Sequence, residues 1–233
     1  MLLSRLGRSA LLRLPAFSTK SVRVRQHVNP LSRRFQEPIA VPDWTSIYHP
    51  SSSPAKVHLD IGCARAQYLM ALAAQEPETC FLGVEIREPL VHEALVRVQE
   101  LQLRNVHIVH ANMNVHMDAL LASLRATTLF SVGSVSIFHP DPWMKKKHIK
   151  RRLVTDAFVR DLARHLDDGT PVHLQSDVVD LFEYMVDIFR TCPDYVDIGP
   201  GASNAMGLPT DRERFVVNEG GAIYRKTFRR TVK

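Results

Sequence analysis

Residues 57 to 75 read VHLDIGCARAQYLMALAAQ: a short apolar run closes on Asp60-Ile61-Gly62, turns through Cys63-Ala64-Arg65-Ala66, and continues with apolar residues at helical spacing. A buried strand running into a helix through a tight turn is the opening unit of an α/β sheet. The same rhythm recurs along the chain. FLGVEI (81 to 86), VHIVHA (106 to 111), SVSIFHP (134 to 140) and VHLQSD (172 to 177) read as further buried strands, and 66 to 75, 88 to 101, 114 to 124, 155 to 166 and 178 to 190 carry helical spacing. Strands alternating with helices predict a parallel sheet with right-handed crossovers. Two later candidates, YVDIG (195 to 199) and AIYRKTFR (222 to 229), predict a hairpin-like antiparallel edge, with 200 to 221 as the loop between them. The reading is a doubly wound α/β domain, whose ligands sit outside the carboxyl ends of the strands.

Composition narrows the class without naming a chemistry. With 45% hydrophobic and 23% charged residues, 14 Pro and 10 Gly, the 233-residue chain is neither fibre, disordered tail nor repeat array. Cys63, Cys80 and Cys192 are odd in number and stand in no metal-ligand spacing, which points to a reducing compartment and to no metal site. No apolar run is long enough to span a bilayer, so no membrane is expected. The net charge of +6 is unevenly placed: residues 1 to 36 hold eight basic residues and no acid, leaving 22 basic against 24 acidic residues in the remainder. The body is therefore close to neutral.

The opening MLLSRLGRSALLRLPAFSTKS has the Leu, Arg and Ser content and the lack of acids of an organelle transit peptide. A retained basic arm that contacts RNA phosphates has the same composition. A secretory signal fits less well, since arginines interrupt its apolar run. The expected organisation is a transit peptide over 1 to 21, an N-terminal extension over 22 to 56 and the α/β domain over 57 to 233.

The loops at the carboxyl edge carry the chemistry. The first turn has a single glycine, Gly62, where a dinucleotide fingerprint needs three, which disfavours a nicotinamide cofactor. Glu85 ends the second strand, where a carboxylate either accepts hydrogen bonds from both ribose hydroxyls of an adenosine or is simply solvated. Asn112 follows the third strand, suited either to an adenine edge or to an Asx turn. The fourth loop differs in kind: Phe138-His139-Pro140-Asp141-Pro142-Trp143 holds one aspartate between two prolines, and six cations follow within residues 145 to 152. Prolines on both sides restrict that carboxylate to the sheet edge. The basic run is either a solvated face or, beside a fixed acid and a tryptophan, a set of phosphate and stacking contacts to nucleic acid.

Taken together, PDPW-x-K-x-x-H-x-K-R-R (Pro140 to Arg152), Asp60-Ile61-Gly62, Glu85 in LGVEIR, Asn105 in LRNV, Ser176-Asp177 and Pro209-Thr-Asp-Arg-Glu-Arg214 resemble the tRNA (guanine-N7)-methyltransferase family. VRVRQHVNPLS (22 to 32) is similar to the segment before the domain in cyanobacterial and plant members, so the resemblance spans roughly residues 22 to 230. It implies the Rossmann-like class I fold of S-adenosylmethionine-dependent enzymes, a mostly parallel seven-stranded sheet with an antiparallel final strand. It also implies methyl transfer from S-adenosylmethionine to N7 of guanosine 46 in the tRNA variable loop. Position by position, it implies that Asp60, Gly62, Glu85, Asn112 and Asp141 line the cofactor site, that Asp141 is catalytic, and that Lys145, Asp177, Thr210, Asp211, Arg212 and Glu213 bind tRNA. A single chain suffices in the bacterial and plant-like branch, so no second subunit is expected and the chain acts as a monomer or homodimer. A chloroplast fits the plant-like resemblance better than a mitochondrion.

Guanine N7 is already a nucleophile, so the chemistry asks for alignment and charge stabilisation instead of a base. Ala64 and Ala66 stand where family members often carry glycines, and their methyls are expected to crowd the cofactor. Asn112 replaces a frequent Asp, and His139 replaces a frequent aromatic or apolar residue and is read as a packed strand-end side chain. His58, His107, His110 and His173 alternate along strands and are read as structural. Two rivals follow: a methyltransferase of the same fold acting on another RNA, and a non-catalytic RNA-binding protein whose cofactor site the alanines have closed.

Overall fold

A computed structural model describes residues 24–49, 53–199 and 207–232, so the expected transit peptide over 1 to 21 lies outside the described residues. Seven strands run β1 (Ala55–Ile61), β2 (Cys80–Glu85), β3 (Val106–His110), β4 (Phe130–Phe138), β5 (Pro171–Ser176), β6 (Tyr195–Asp197) and β7 (Tyr224–Arg230). They form one sheet in the order β3-β2-β1-β4-β5-β7-β6. The first five pair in parallel, and β7 is antiparallel to both β5 and β6. The last two strands do pair, as expected, but β7 inserts between β5 and β6 instead of lying outside. Phe228 is fully buried on β7 and stacks on Phe189 with centroids 5.1 Å apart, so core packing draws β7 inward.

Of the helices, α1 (Trp44–Ile47) is a single turn in the N-terminal extension, and α2 (Gln67–Gln75), α3 (Glu88–Glu100), α4 (Met113–Ala126), α5 (Asp156–His165) and α6 (Val179–Thr191) follow the first five strands. These parallel strands are apolar on both faces because helices cover both. One cluster joins Leu69, Met70, Phe81, Val91 and Ile108 with α2 and α3. The other joins Leu59, Leu120, Phe158, Leu174 and Phe189 with α4, α5 and α6. The extension is docked as well: Trp44 Nε1 donates to Ser123 Oγ at 2.8 Å, and the Tyr48 hydroxyl donates to the Phe81 carbonyl at 2.8 Å.

The stretch expected as a loop contains a further helix, α7 (Asp211–Asn218). Thr210 Oγ1 accepts from the Glu213 amide at 3.1 Å, which is the capping-box pattern Thr-x-x-Glu and a sequence signal for a helix start. The helix is missed by apolar spacing because only Glu213 and Val216 are buried in it.

β1 pairs with β2 on one side and β4 on the other, while the chain runs outward to β3 before it returns. The carboxyl ends of β1, β2 and β4 therefore face a crevice at the point where strand order reverses, the place where open α/β sheets bind ligands.

Candidate active site

A cleft enclosing about 740 Å³ of empty space, part of it open to solvent, lies at that reversal. Its lining combines the apolar side chains of Ile61, Val84, Ile86, Ala111 and Met113 with the polar groups of Glu85, Arg87, Asn112, Asn114, His139, Asp141 and Arg151. Apolar walls with convergent polar groups are the usual make-up of a small-molecule site.

The first turn shapes its floor. Gly62 has φ +88°, and its amide donates to the Val84 carbonyl at 2.8 Å, binding the turn to β2. A side chain here would be strained whatever the space, since residues bearing a Cβ disfavour this region. Within β2, a Cβ at Gly83 would stand 2.6 Å from Cys63 Sγ, so the glycine lets the turn press on the strand.

Ala64 and Ala66 also occupy the left-handed region, at φ 50° and 52°. Neither lines the cleft, and Ala66 is fully buried in the core. The cleft as it stands is lined by neither of the two methyls expected to crowd it.

Glu85 is 2% exposed at the end of β2. Its carboxylate accepts from the Ala64 amide (3.0 Å), the Arg87 amide (2.9 Å), Arg87 Nε (2.9 Å) and Arg87 Nη2 (3.0 Å). That fills the roughly four acceptor sites of a carboxylate. Two of the four donors belong to the Arg87 side chain and two to backbone amides.

Asp60 does not line the cleft; it lies beneath Gly62, 5% exposed, accepting from Ser136 Oγ at 2.6 Å. Burial pushes its carboxyl up to about 7, with the Ser136 hydrogen bond opposing and the charge of Glu85 adding. Ser136 Oγ in turn contacts His58 Nε2 at 3.1 Å, and His58 Nδ1 meets Ser134 Oγ at 2.7 Å. Burial holds His58 down at about 3 and His173 at about 4, so both are neutral members of the sheet's interior.

Asn112 is buried and caps α4, its Oδ1 accepting from the Asn114 amide at 3.2 Å. Of the two readings open to it, the Asx turn is the one seen. Its Nδ2 donates to the Pro30 and Phe35 carbonyls at 3.1 and 3.3 Å, tying the N-terminal segment over the cleft.

Asp141 faces the cleft with its side chain 39% exposed. The loop holding it is anchored at both ends: the His139 amide donates to the Gln175 carbonyl at 2.8 Å, and Arg152 Nε donates to the Pro142 carbonyl at 3.0 Å. His139 and Trp143, either side of Pro-Asp-Pro, have φ 50° and 41°. Such backbone costs of order 1–3 kcal/mol per residue and persists where surrounding contacts impose it, as they commonly do at functional sites.

The basic run after Trp143 does not lie wholly outside. Lys145, Lys146, Lys147 and Lys150 are exposed, with no ion pair among the described residues, whereas Arg152 is 8% exposed and sits 4.3 Å from the Tyr184 ring. Trp143 is not a free stacking face, because the Arg151 guanidinium lies 5.0 Å over its ring and His27 and His148 flank it.

The remaining candidates form a polar network behind the loop. His139 Nδ1 meets Asp177 Oδ1 at 2.8 Å, and Arg212 Nη2 meets Asp177 Oδ2 at 2.5 Å. Gln175 Nε2 contacts His139 Nε2 at 2.9 Å and donates to Glu213 Oε2 at 3.2 Å, while Arg225 pairs with Glu213 Oε1. Burial is the largest influence on Asp177 and would raise it, yet the hydrogen bonds from Arg212 and His139 outweigh it and hold the carboxyl below its ordinary value. His139 is lowered by burial against the pull of Asp177, so it stays a neutral, packed side chain. Thr210, Asp177 and Glu213 thus anchor α7 to the sheet, with Glu213 and Asp177 largely covered; among this group the exposed charges are those of Asp211, paired with Arg214, and Arg212. Lys145 takes no part in this network and is exposed.

The structure therefore brings Gly62, Glu85, Asn112 and Asp141 to one cleft, with Asp60 below it. Three participants carry no signal in apolar spacing: Arg87 on Glu85, and His27 and Pro30 from the N-terminal segment.

The chain is similar to known methyltransferases over most of its length. A family model described as "Putative methyltransferase" matches residues 54–226. A tRNA (guanine-N(7)-)-methyltransferase of Thermosynechococcus vestitus is 47% identical over 216 residues, 90% of this chain and 95% of its own length. That of Microcystis aeruginosa is 46% identical over 211 residues, 89% of this chain and 98% of its own. Among solved structures, an rRNA methylase from Streptococcus thermophilus superposes with a TM-score of 0.50 over 77% of this chain and 89% of that one at 8% identity, a likeness of fold alone.

Proposed function

The chain belongs to the tRNA (guanine-N7)-methyltransferase family, and on that premise we propose that it methylates N7 of the guanosine at position 46 in the variable loop of tRNA, with S-adenosylmethionine as the donor. The observation that carries the proposal is the pairing, across one cleft, of a buried switch-point acid, Glu85, with Asp141 fixed between two prolines beside an unpaired lysine run.

The residues present fit an adenosine-bearing cofactor. Ile61, Val84, Ile86, Ala111 and Met113 supply apolar walls, and Glu85 supplies a carboxylate whose Arg87 donors are exchangeable for a ribose diol. When bound, that cofactor supplies an electrophilic methyl on a sulfonium.

What the chain does is orient. Asp141 accepts from the N1–H and N2–H groups of a guanine, which leaves N7 free and fixes the base plane. Its negative charge also offsets the positive charge that develops on the purine. Such alignment is worth roughly 7–11 kcal/mol in favourable cases. Lys145, Lys146, Lys147 and Lys150 supply sequence-independent attraction to phosphates, and Arg212 adds a charged group near the same edge. The non-catalytic rival requires Ala64 and Ala66 to close the cleft, and neither lines it.

The acid-free leader over 1 to 21 and the cyanobacterial relatives together support targeting to an organelle, a plastid before a mitochondrion, with the methyltransferase domain beginning near residue 57. Fusing the leader to a fluorescent protein reads this directly.

The test of activity is to incubate the protein with donor and a tRNA transcript, then map N7-methylguanosine by aniline cleavage. Asp141→Asn should retain S-adenosylhomocysteine binding and lose most of its single-turnover rate. A rate within about threefold of wild type, or methylation surviving in a transcript without guanosine 46, contradicts the reading.

A further inference from the structure

The N-terminal segment preceding α1 is a wall of the cleft. Val28 and Pro30 line it, and the Gln26 carbonyl accepts from Arg87 Nη1 at 3.1 Å. The Pro30 and Phe35 carbonyls accept from Asn112 Nδ2, and His116 Nε2 donates to the Glu37 carbonyl at 2.9 Å. The segment is thus fastened along its length by Arg87 and Asn112, just past the carboxyl ends of β2 and β3, and by His116 on α4. Between Gln26 and Val28 stands His27, with Nδ1 2.8 Å from Asp141 Oδ1 and its ring 5.9 Å from that of Trp143. Both partners stay accessible, at 46% and 39% side-chain exposure.

We propose that His27 is a positioning residue, holding the Asp141 carboxylate in the rotamer that receives the guanine. A carboxylate oxygen accepts, so in this contact the donating group is His27 Nδ1. The imidazole stands against Oδ1 alone, and no hydrogen bond from another side chain of the described residues reaches Asp141, so Oδ2 and the second lone pair of Oδ1 are left for the two N–H groups of the base. The prolines fix the backbone on either side of Asp141, but its χ1 and χ2 remain free. A 2.8 Å contact from a wall that is itself fastened at Arg87, Asn112 and His116 restricts that freedom. A carboxylate locked before the base arrives gives the pre-organisation on which alignment depends.

The inference rests on the proposed activity, and its test separates the two. Single-turnover rates and KM for a tRNA transcript are measured for wild type, His27→Ala and His27→Asn, with S-adenosylhomocysteine binding followed by calorimetry. The expected result is a turnover about tenfold lower in His27→Ala, with KM and product-analogue binding within twofold of wild type. His27→Asn, whose amide N–H stands near the place of Nδ1, should recover most of the loss. A His27→Ala turnover equal to or above wild type would show that the imidazole competes with the base and overturn the proposal. Equal losses in Ala and Asn would overturn it too, by assigning the effect to the shape of the segment. A second arm needs no activity: the His27 Hε1 proton resonance in the folded protein should move on Asp141→Asn. If wild type methylates no tRNA but that resonance moves, the activity assignment fails while the contact stands. An unmoved resonance overturns the proposal whatever the substrate.

Discussion

Asp60→Asn should make the protein more stable at neutral and alkaline pH, although it removes a charge from the floor of the site. The wild-type carboxyl is 5% exposed, touches one hydroxyl donor, Ser136 Oγ at 2.6 Å, and lies within the field of Glu85. The unfolded chain releases this proton near 3.8, whereas burial keeps it on the folded protein up to about 7. Between those values the folded state binds more protons than the unfolded one, so this group lowers stability as pH rises through the window. Below about pH 4 both states hold the proton and the contribution vanishes; above about pH 7 both have lost it and the cost levels out near 4 kcal/mol, an order-of-magnitude figure. An amide has the shape of the protonated carboxyl and keeps an acceptor for Ser136. The difference in unfolding free energy between Asp60→Asn and wild type should therefore be small at pH 4.5, grow through pH 5 to 7, and level off by pH 8. His58 and His173, held neutral by burial, act in the opposite sense at lower pH, but they are present in both proteins and largely cancel in the difference. Urea unfolding of both proteins at half-unit pH steps, without cofactor, measures it. A difference that stays flat to within about 0.5 kcal/mol from pH 5 to 8 would show that Asp60 is adequately solvated when ionised and refute the reasoning.

Neutralising Lys146, Lys147 and Lys150 together, all exposed and unpaired among the described residues, should weaken tRNA binding and lower the slope of log K against log salt by about 2–3, read by filter binding at several salt concentrations. An unchanged slope means that the run faces away from the RNA. Glu213→Ala leaves Arg225 half-buried without its carboxylate and should cost about 2–4 kcal/mol in urea unfolding; an unaltered midpoint would mean that α7 is held by other contacts. Ala64→Gly relieves a left-handed backbone that costs a residue with a Cβ about 1–2 kcal/mol, and returns about 0.4–1 kcal/mol as unfolded-state entropy. Scanning calorimetry should accordingly find a melting temperature raised by about 1–4 °C.

Local chemistry made much of this protein legible from its residues in order. Strands buried on both faces must be apolar along their length, so the five parallel strands and the helices after them stand out, and the strand-to-helix turn at Gly62 and the Pro-Asp-Pro loop declare themselves because backbone restriction is a property of neighbouring residues. The family resemblance is carried by the same local motifs. What only the folded chain decided is what meets across long separations. Nothing local to His27 says that it meets Asp141, or that Pro30 and Phe35 hand their carbonyls to Asn112. Nothing in Ala64 and Ala66 says that both adopt left-handed backbone and stand outside the lining of the cleft. The order of β7 and β6 at the sheet edge, and the burial of Glu213 against Arg225, likewise follow from which surfaces are left to cover once the parallel strands have packed. Periodicity reports whether a residue is buried; only three-dimensional packing decides against what, and the reactive geometry of this cleft is made of those encounters.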